Sequence, residues 1–250
     1  MLIEAALAQP DATITAAFDR ADSAAAGHDC AEFLGRATGV SVVADLASLG
    51  EADVLIDFTR PEATLAHLKA CTDSDVNMVI GTTGFDEAGK RAIATAAEKI
   101  AIVFAPNMGV GVNVVLKLLD QAARALNEDY DVEIVEMHHK HKVDAPSGTA
   151  LKMGEVIAEA RDAKLEDVAV YARQGVVGAR KAGAIGFASI RGGDVIGDHT
   201  ALFAGVGERI EITHKASSRM TYALGSMRAA RFLAGRRTGL YDMFDVLGFK

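Results

Sequence analysis

Three short apolar runs, residues 53–58, 77–80 and 101–104, each end in small or polar residues, and a helical stretch follows each of the first two. Such runs alternating with amphipathic helices predict βαβ units and a parallel sheet covered on both faces. The first run leads into Thr59-Arg60-Pro61, and Pro61 suits the first turn of the helix it opens. The second closes in Gly81, Thr82, Thr83 and Gly84, before a helix over residues 86–99. The third leads into Ala105, Pro106, Asn107, Met108 and Gly109. Ligands of parallel sheets bind outside the carboxyl ends of the strands, so three such loops in register predict one cofactor crevice. A single loop of this kind would read as a turn.

Ahead of the sheet, residues 1–9 read as a helix stopped by Pro10, and residues 13–18 as a strand ending in Asp19 and Arg20. A dinucleotide-binding domain of this type is expected to open with a strand and a Gly-rich turn before its first helix. This chain is expected to open inside that helix, with the first strand and glycine loop missing. Met1 then reads as an internal methionine or as the edge of a truncated chain, and dinucleotide binding is expected to be weak. Asp19 suits a ribose hydroxyl and Arg20 a 2′-phosphate, so the pair fits a dinucleotide with or without that phosphate, which under the family resemblance given below means both NADH and NADPH. A helix cap beside a solvated charge is the plainer reading of the same pair.

The texture changes beyond residue 110. Residues 111–126 predict a long helix with Val115, Leu118, Ala122 and Leu126 along its apolar stripe. Residues 131–137 and 208–214 alternate polar and apolar, as half-exposed strands do, and residues 186–190 and 199–203 add two more strands. This middle section predicts an α+β domain with a mixed sheet over residues 110–218. Residues 1–109 and 219–250 form the first domain, onto which a helix over residues 217–234 packs back. Residues 161–183, rich in Arg, Lys and Gly, read as a loop or mobile lid.

Composition removes several function classes. The formal net charge of −8 disfavours a phosphate backbone as partner, so no nucleic acid is expected. Cys30 and Cys71 form no C-x-x-C pair, which suits a reducing cytoplasm. The longest uncharged run, residues 100–116, is broken by Pro106, Asn107, Gly109, Gly111 and Asn113, so no membrane segment is expected. The N-terminus has no basic stretch and places Glu4 among its apolar residues, unlike a signal peptide.

The densest chemical signal runs from His138 to Ala150: His138, His139, Lys140, His141 and Lys142, then Asp144, Pro146 and Ser147-Gly148-Thr149 opening a helix. An uncapped helix start offers backbone amides and a positive dipole end, and Gly148 permits close approach. Facing a cationic strand end, it makes a receptor for a small polyanion, with a dicarboxylate fitting best. A metal site using His139 and His141 is the alternative, opposed by the charges of Lys140 and Lys142. A solvated strand end is another. Ser147 lacks the G-x-S-x-G setting of an activated nucleophile. Arg219, after Ser217-Ser218, suits a substrate carboxylate or a hinge, or equally a surface or capping role.

The stretch Glu136-Met-His-His-Lys-His-Lys-Val-Asp-Ala-Pro-Ser-Gly-Thr-Ala150 resembles the signature of the dihydrodipicolinate reductase family. Residues 56–61, 79–85, 104–108 and 212–219 are similar to further motifs of that family, so the likeness spans the chain. It implies a Rossmann-like dinucleotide-binding domain joined to a central α+β domain that assembles a homotetramer. It also implies NAD(P)H-dependent reduction of a cyclic dicarboxylate in the diaminopimelate route to lysine. By this resemblance His138 is the general acid/base and Lys142 its catalytic partner, while His139, Gly148 and Thr149 bind the dicarboxylate. Gly81, Thr82, Thr83, Ala105, Pro106, Asn107 and Met108 would line the nicotinamide cofactor, and no metal is expected. An imidazole titrates near neutral pH and can deliver the proton that accompanies the hydride. A dehydrogenase of another amino-acid-derived dicarboxylate, or a cofactor-deficient remnant of the family, are the competing readings.

Overall fold

A computed structural model describes all 250 residues, Met1 to Lys250. In chain order it holds α1 (Leu2–Leu7), β1 (Ala17–Phe18), β2 (Val42–Val43), β3 (Val54–Asp57), α2 (Pro61–Ser74), β4 (Asn77–Ile80), α3 (Glu87–Ala96), β5 (Ala101–Phe104) and α4 (Val110–Leu126). Then come β6 (Asp131–His138), α5 (Gly148–Ala160), α6 (Leu165–Val168), β7 (Ala169–Val170), β8 (Ile185–Arg191), β9 (Gly197–Ala204) and β10 (Arg209–Ala216). The chain ends with α7 (Met220–Leu233), β11 (Gly239–Tyr241) and α8 (Met243–Leu247). It divides into two compact units, one of Met1–Val110 with Met220–Lys250, the other of Gly111–Arg219. The fold is α/β, with a parallel sheet in the first unit and a mixed sheet in the second.

The parallel sheet has the order β11-β5-β4-β3. Successive side chains of β4 point to opposite faces, so both faces need cover. Met78 and Ile80 pack with Leu68 and Cys71 of α2 and Ile93 of α3. Val79 and Val103 pack on the other side with Ala229 and Leu233 of α7 and with Met243 and Val246 of α8. Pro61 stands at the start of α2, and the Asp86 carboxylate caps α3 by accepting from the Gly89 amide at 2.7 Å. α1 packs Ala5 against Ala223 and Met227 of α7.

Two details of this unit differ from the sequence reading. Only Ala17–Phe18 of the strand expected over residues 13–18 is extended, because its sole ladder is with Val42–Val43; that pair forms a separate two-stranded sheet. The sheet also gains β11, whose short Gly239–Tyr241 run carries little periodic signal.

The second unit is a five-stranded mixed sheet, order β10-β9-β6-β8-β7. β6 buries Val132, Ile134, Glu136 and His138 on one face, while Glu133, Val135 and Met137 stay half-buried on the other. The apolar stripe of α4 is rotated from the expected one: Val112, Val115, Leu116, Leu119 and Ala123 are buried, whereas Leu118 is 46% exposed. Apolar residues cover two overlapping stripes of this helix, and the tertiary contacts select the other one. Residues 161–183 are not wholly a loop, since they contain α6 and β7, and β7 pairs in parallel with β8.

Arginines pin the remainder of that segment. Arg173 donates two hydrogen bonds of 2.8 Å to Glu133, and Arg180 reaches Glu133 at 3.1 Å and Asp131 at 2.7 Å. Burial works to raise the Glu133 carboxyl, but the bonds from Arg173 and Arg180 outweigh it and hold the group below the usual carboxylate range. Gly186 leaves the room: a Cβ there would lie 1.9 Å from Glu133 Oε2. Gly186→Ala should therefore push Glu133 aside and release Arg173, while Arg180 stays held by Asp131 and by the carbonyl of Val132. The expected result is faster tryptic cleavage at Arg173, with cleavage at Arg180 and the melting temperature little changed, because partly exposed ion pairs contribute little to stability. Unchanged cleavage kinetics would refute the pinning role.

Candidate active site

In the parallel unit, the carboxyl ends of β3, β4 and β5 lie side by side because the strands are adjacent and parallel. A buried polar hub ties the first two together. Asp57, 2% exposed at the end of β3, accepts from the Thr59 amide at 2.8 Å, from Thr59 Oγ1 at 2.7 Å and from Thr82 Oγ1 at 3.2 Å. His67 Nδ1 lies 2.7 Å from its other oxygen. Burial works against this carboxylate, and the bonds from His67 and Thr59 more than compensate, lowering its pKa.

The expected cofactor residues divide sharply around this hub. The Thr82 hydroxyl is turned inward, also meeting Thr64 Oγ1 at 2.9 Å. Thr83 is exposed, and the Gly81 amide donates to Asp57 O at 2.8 Å. A Cβ on Gly81 would lie 2.3 Å from the Phe58 ring, so glycine allows these two loops to touch. Ala105 and Met108 are buried, Pro106 is exposed, and Asn107 Oδ1 accepts from the Gly109 amide at 2.8 Å, fixing the turn. Asp19 and Arg20 follow β1 on an exposed turn. There Asp19 accepts from Ser23 Oγ at 2.6 Å and from the Arg20 amide at 2.8 Å, bonds that hold its pKa down.

In the mixed-sheet unit, β6 ends at His138. His138 Nδ1 lies 2.6 Å from Glu136 Oε2, two residues earlier on the same strand face. Arg191, beside His138 in register on β8, grips Glu136 with a fork of 2.8 and 2.7 Å. Burial alone would raise the Glu136 carboxyl, yet hydrogen bonds from Arg191, Ser189 and His138 lower it to about 2, so it stays ionised. His199 on β9 stands edge-on to His138, ring centroids 5.0 Å apart, and its Nε2 lies 2.9 Å from Ser147 Oγ. Burial first, and the neighbouring His138 next, push His199 down to about 4, so this ring is neutral.

Ser147 corrects one expectation. The start of α5 is capped, because Ser147 Oγ accepts from the Ala150 amide at 3.2 Å. The amide of Gly148, in the first turn, has no partner within the helix, and open space surrounds the position a Cβ would take there. Thr149 lies next in the same turn. The cationic strand end and the helix start are therefore joined through His199 and Ser147.

His139 faces elsewhere. With Lys140, His141, Gly193, Asp194, Ile196 and Arg219 it lines an open cleft of about 590 Å³. Its Nδ1 is buried without a partner, and its Nε2 lies 3.5 Å from Arg219 Nη2. Lost hydration first, then the charges of Arg219 and His141, lower its pKa. His139 and His141 have ring centroids 6.3 Å apart, and no three metal-ligating side chains cluster anywhere in the chain. Lys142 Nζ lies 2.7 Å from Asp144 Oδ1. Neither His138 nor Gly148 nor Thr149 lines this cleft.

Glu136, Arg191 and His199 were absent from the sequence-derived site. Glu136 carried a usable signal, since a carboxylate two residues before a strand histidine shares its face. Arg191 and His199 carried none, because only strand register brings them to His138.

A parallel sheet with clustered strand-end loops, in a chain that also carries an imidazole-rich mixed-sheet unit, defines an α/β protein of two compact units. A probable dehydrogenase from Thermotoga maritima shares the fold at 12% identity, with a TM-score of 0.59 over 98% of this chain and 88% of that one. Residues 1–108 match the family described as dihydrodipicolinate reductase, N-terminus, and residues 111–247 match its C-terminus. A 4-hydroxy-tetrahydrodipicolinate reductase of Janthinobacterium sp. (strain Marseille) is 64% identical over all of this chain and 94% of its own length. One from Chromobacterium violaceum is 62% identical over the same shares. The dipicolinate-bound dihydrodipicolinate reductase of Paenisporosarcina sp. TG-14 matches with a TM-score of 0.76 and 26% identity, over 98% of this chain and 92% of that one. The chain belongs to the dihydrodipicolinate reductase family, a family of nicotinamide-dependent oxidoreductases.

Proposed function

We propose that this protein reduces 4-hydroxy-tetrahydrodipicolinate to tetrahydrodipicolinate with NADPH or NADH, in the cytoplasm, within the diaminopimelate route to lysine. The observation that carries the reading is the Arg191–Glu136–His138 array at the end of β6, linked through His199 to the start of α5. His138 serves as general acid, its Nδ1 engaged by Glu136 and its Nε2 available for proton exchange. Lys142 offsets charge on the substrate, Gly148 and Thr149 at the start of α5 receive one carboxylate, and His139, from the cleft that it lines, receives the other.

The first unit fits a nicotinamide dinucleotide because three parallel strand ends meet there in loops of small residues, Gly81 to Thr83 and Ala105 to Met108 among them. Asp19 and Arg20 are suited to the ribose hydroxyl and a 2′-phosphate. When bound, the dihydronicotinamide supplies the hydride. The chain's own contribution is to orient the ring dicarboxylate and to deliver a proton from His138. Residues 1–109 with 219–250 serve as the dinucleotide domain, and residues 110–218 as the substrate and oligomerisation domain.

The uncovered sheet face supports a homotetramer. Exposed Ile190 and half-buried Val135, Met137 and Leu202 make it apolar enough to be buried by another copy. The decisive experiment follows NADPH and NADH oxidation with 4-hydroxy-tetrahydrodipicolinate, against cyclic and open-chain dicarboxylates, with dipicolinate as inhibitor. Turnover confined to the cyclic substrate and blocked by dipicolinate is expected. Equal rates with open-chain acids, or no oxidation of either cofactor, would overturn the proposal.

A further inference from the structure

We propose that Glu136 and Arg191 are positioning residues for the reduction: Glu136 fixes His138 as the Nδ1–H tautomer, and Arg191 clamps both Glu136 and the Lys142 loop. The inference rests on His138 being the proton donor of the proposed reaction.

A carboxylate buried to 1% exposure is costly unless its lone pairs are used, and here the partners are specific. Arg191 spends its two terminal nitrogens on the two Glu136 oxygens, at 2.8 and 2.7 Å. Glu136 Oε2 then meets His138 Nδ1 at 2.6 Å. A carboxylate held ionised by Arg191 can only accept, so Nδ1 must carry the hydrogen. Nε2 is thereby the atom that gains and loses the catalytic proton. Gly197 keeps that atom uncovered, since a Cβ there would lie 3.0 Å from it.

Arg191 does a second task. Its Nη2 also donates to Asp144 O at 2.6 Å, and Asp144 Oδ1 receives Lys142 Nζ at 2.7 Å. One guanidinium thus sets the orientation of the imidazole and the position of the loop bearing the ammonium. Rigid planar forks suit such shared duty, and a lysine could not reproduce it. His138 contacts Glu136 on its own strand, stands in register with Arg191 of β8 and edge-on to His199 of β9, and His139 and Lys142 act on the same cluster. Of these, His199 is neutral and bonded to Ser147, and Glu136 is the carboxylate in direct contact with the ring.

The test uses Glu136→Gln in the full-length protein. Arg191 will claim the amide oxygen of Gln, turning the amide NH₂ toward Nδ1 and favouring the opposite tautomer. The expected result is a fall in kcat of about 10- to 100-fold, as for other residues that orient a working group. KM for the cyclic dicarboxylate should change by less than about threefold, because no direct substrate contact is lost. The alkaline limb of kcat/KM should move to lower pH, since the protonated ring loses its counter-charge. Arg191→Lys should lower kcat and also raise KM, as the Lys142 loop is released. Independently of turnover, ¹⁵N spectra of histidine-labelled wild-type protein should show neutral His138 as the Nδ1–H tautomer. An Nε2–H tautomer there, or an unmoved pH limb with kcat within about threefold in Glu136→Gln, overturns the inference. Should Glu136→Gln fail to fold, the wild-type spectrum and the Arg191→Lys kinetics still decide it. Absence of reductase activity in the wild type would sink the proposed function instead, leaving the tautomer result to judge the positioning.

Discussion

His138→Gln is expected to lower kcat by about 10²- to 10⁴-fold while KM for the cyclic dicarboxylate stays within about tenfold. Glutamine fills much of the imidazole's volume and can still meet Glu136, so packing at the end of β6 should survive. What it lacks is a group that gains and loses a proton near neutral pH. The 2.6 Å contact from Nδ1 to Glu136 occupies one side of the ring, and only Nε2 is left for exchange. Steady-state kinetics with saturating NADPH, alongside the circular dichroism spectrum and melting temperature, make the comparison. Lys142→Ala should behave differently, lowering kcat and raising KM together, because its ammonium offsets charge both in the bound substrate and during reaction. A kcat within about tenfold of wild type for His138→Gln, below the usual contribution of a general acid, would remove the residue from the chemistry.

The sheet region was legible because local signals agreed there. Strand β4 and strand β5 occur where the apolar runs stand, and Pro61 in the first turn of α2 and the Asp86 cap of α3 begin their helices as turn chemistry requires. Where two choices were locally equivalent, periodicity could not decide. α4 carries apolar residues on overlapping stripes, and only packing shows that Leu119 rather than Leu118 is buried. β11 and β7 are two- or three-residue strands defined by a neighbour's ladder, not by their own pattern. In the site, the run from His138 to Thr149 was visible as one chemical cluster, but its internal division was not. The strand end presents His138 inward toward Glu136 and His139 to a separate open cleft, a split that follows from the period of two along an extended chain. Arg191 and His199 come from strands 53 and 61 positions further on, and only the pairing of β6 with β8 and β9 brings them in.

Gly225→Ala should cost about 2 kcal/mol and lower the melting temperature by roughly 4–8 °C in a chain of this size. Alanine is the better helix former by about 1 kcal/mol, so an isolated α7 would gain from the change. Packing reverses the sign. A Cβ at position 225 would lie 1.8 Å from Met108 O, a backbone atom that no rotamer change can move. Overpacking of this kind costs about 3 kcal/mol, and relief requires the Ala105–Met108 turn to shift as a body. That turn is one of the three at the parallel strand ends, so the variant should also weaken NADPH binding in a fluorescence titration. Gly148→Ala is the informative contrast. Nothing stands within 4 Å of the position its Cβ would occupy, so stability should be unchanged or slightly raised. If the first turn of α5 receives a substrate carboxylate, however, the added methyl intrudes on that space and KM should rise about tenfold or more. Thermal melts and KM measured on both variants separate a glycine kept for packing from one kept for a ligand. A Gly225→Ala protein that melts with the wild type, or a Gly148→Ala protein with unaltered KM, would show the corresponding close approach to be unimportant.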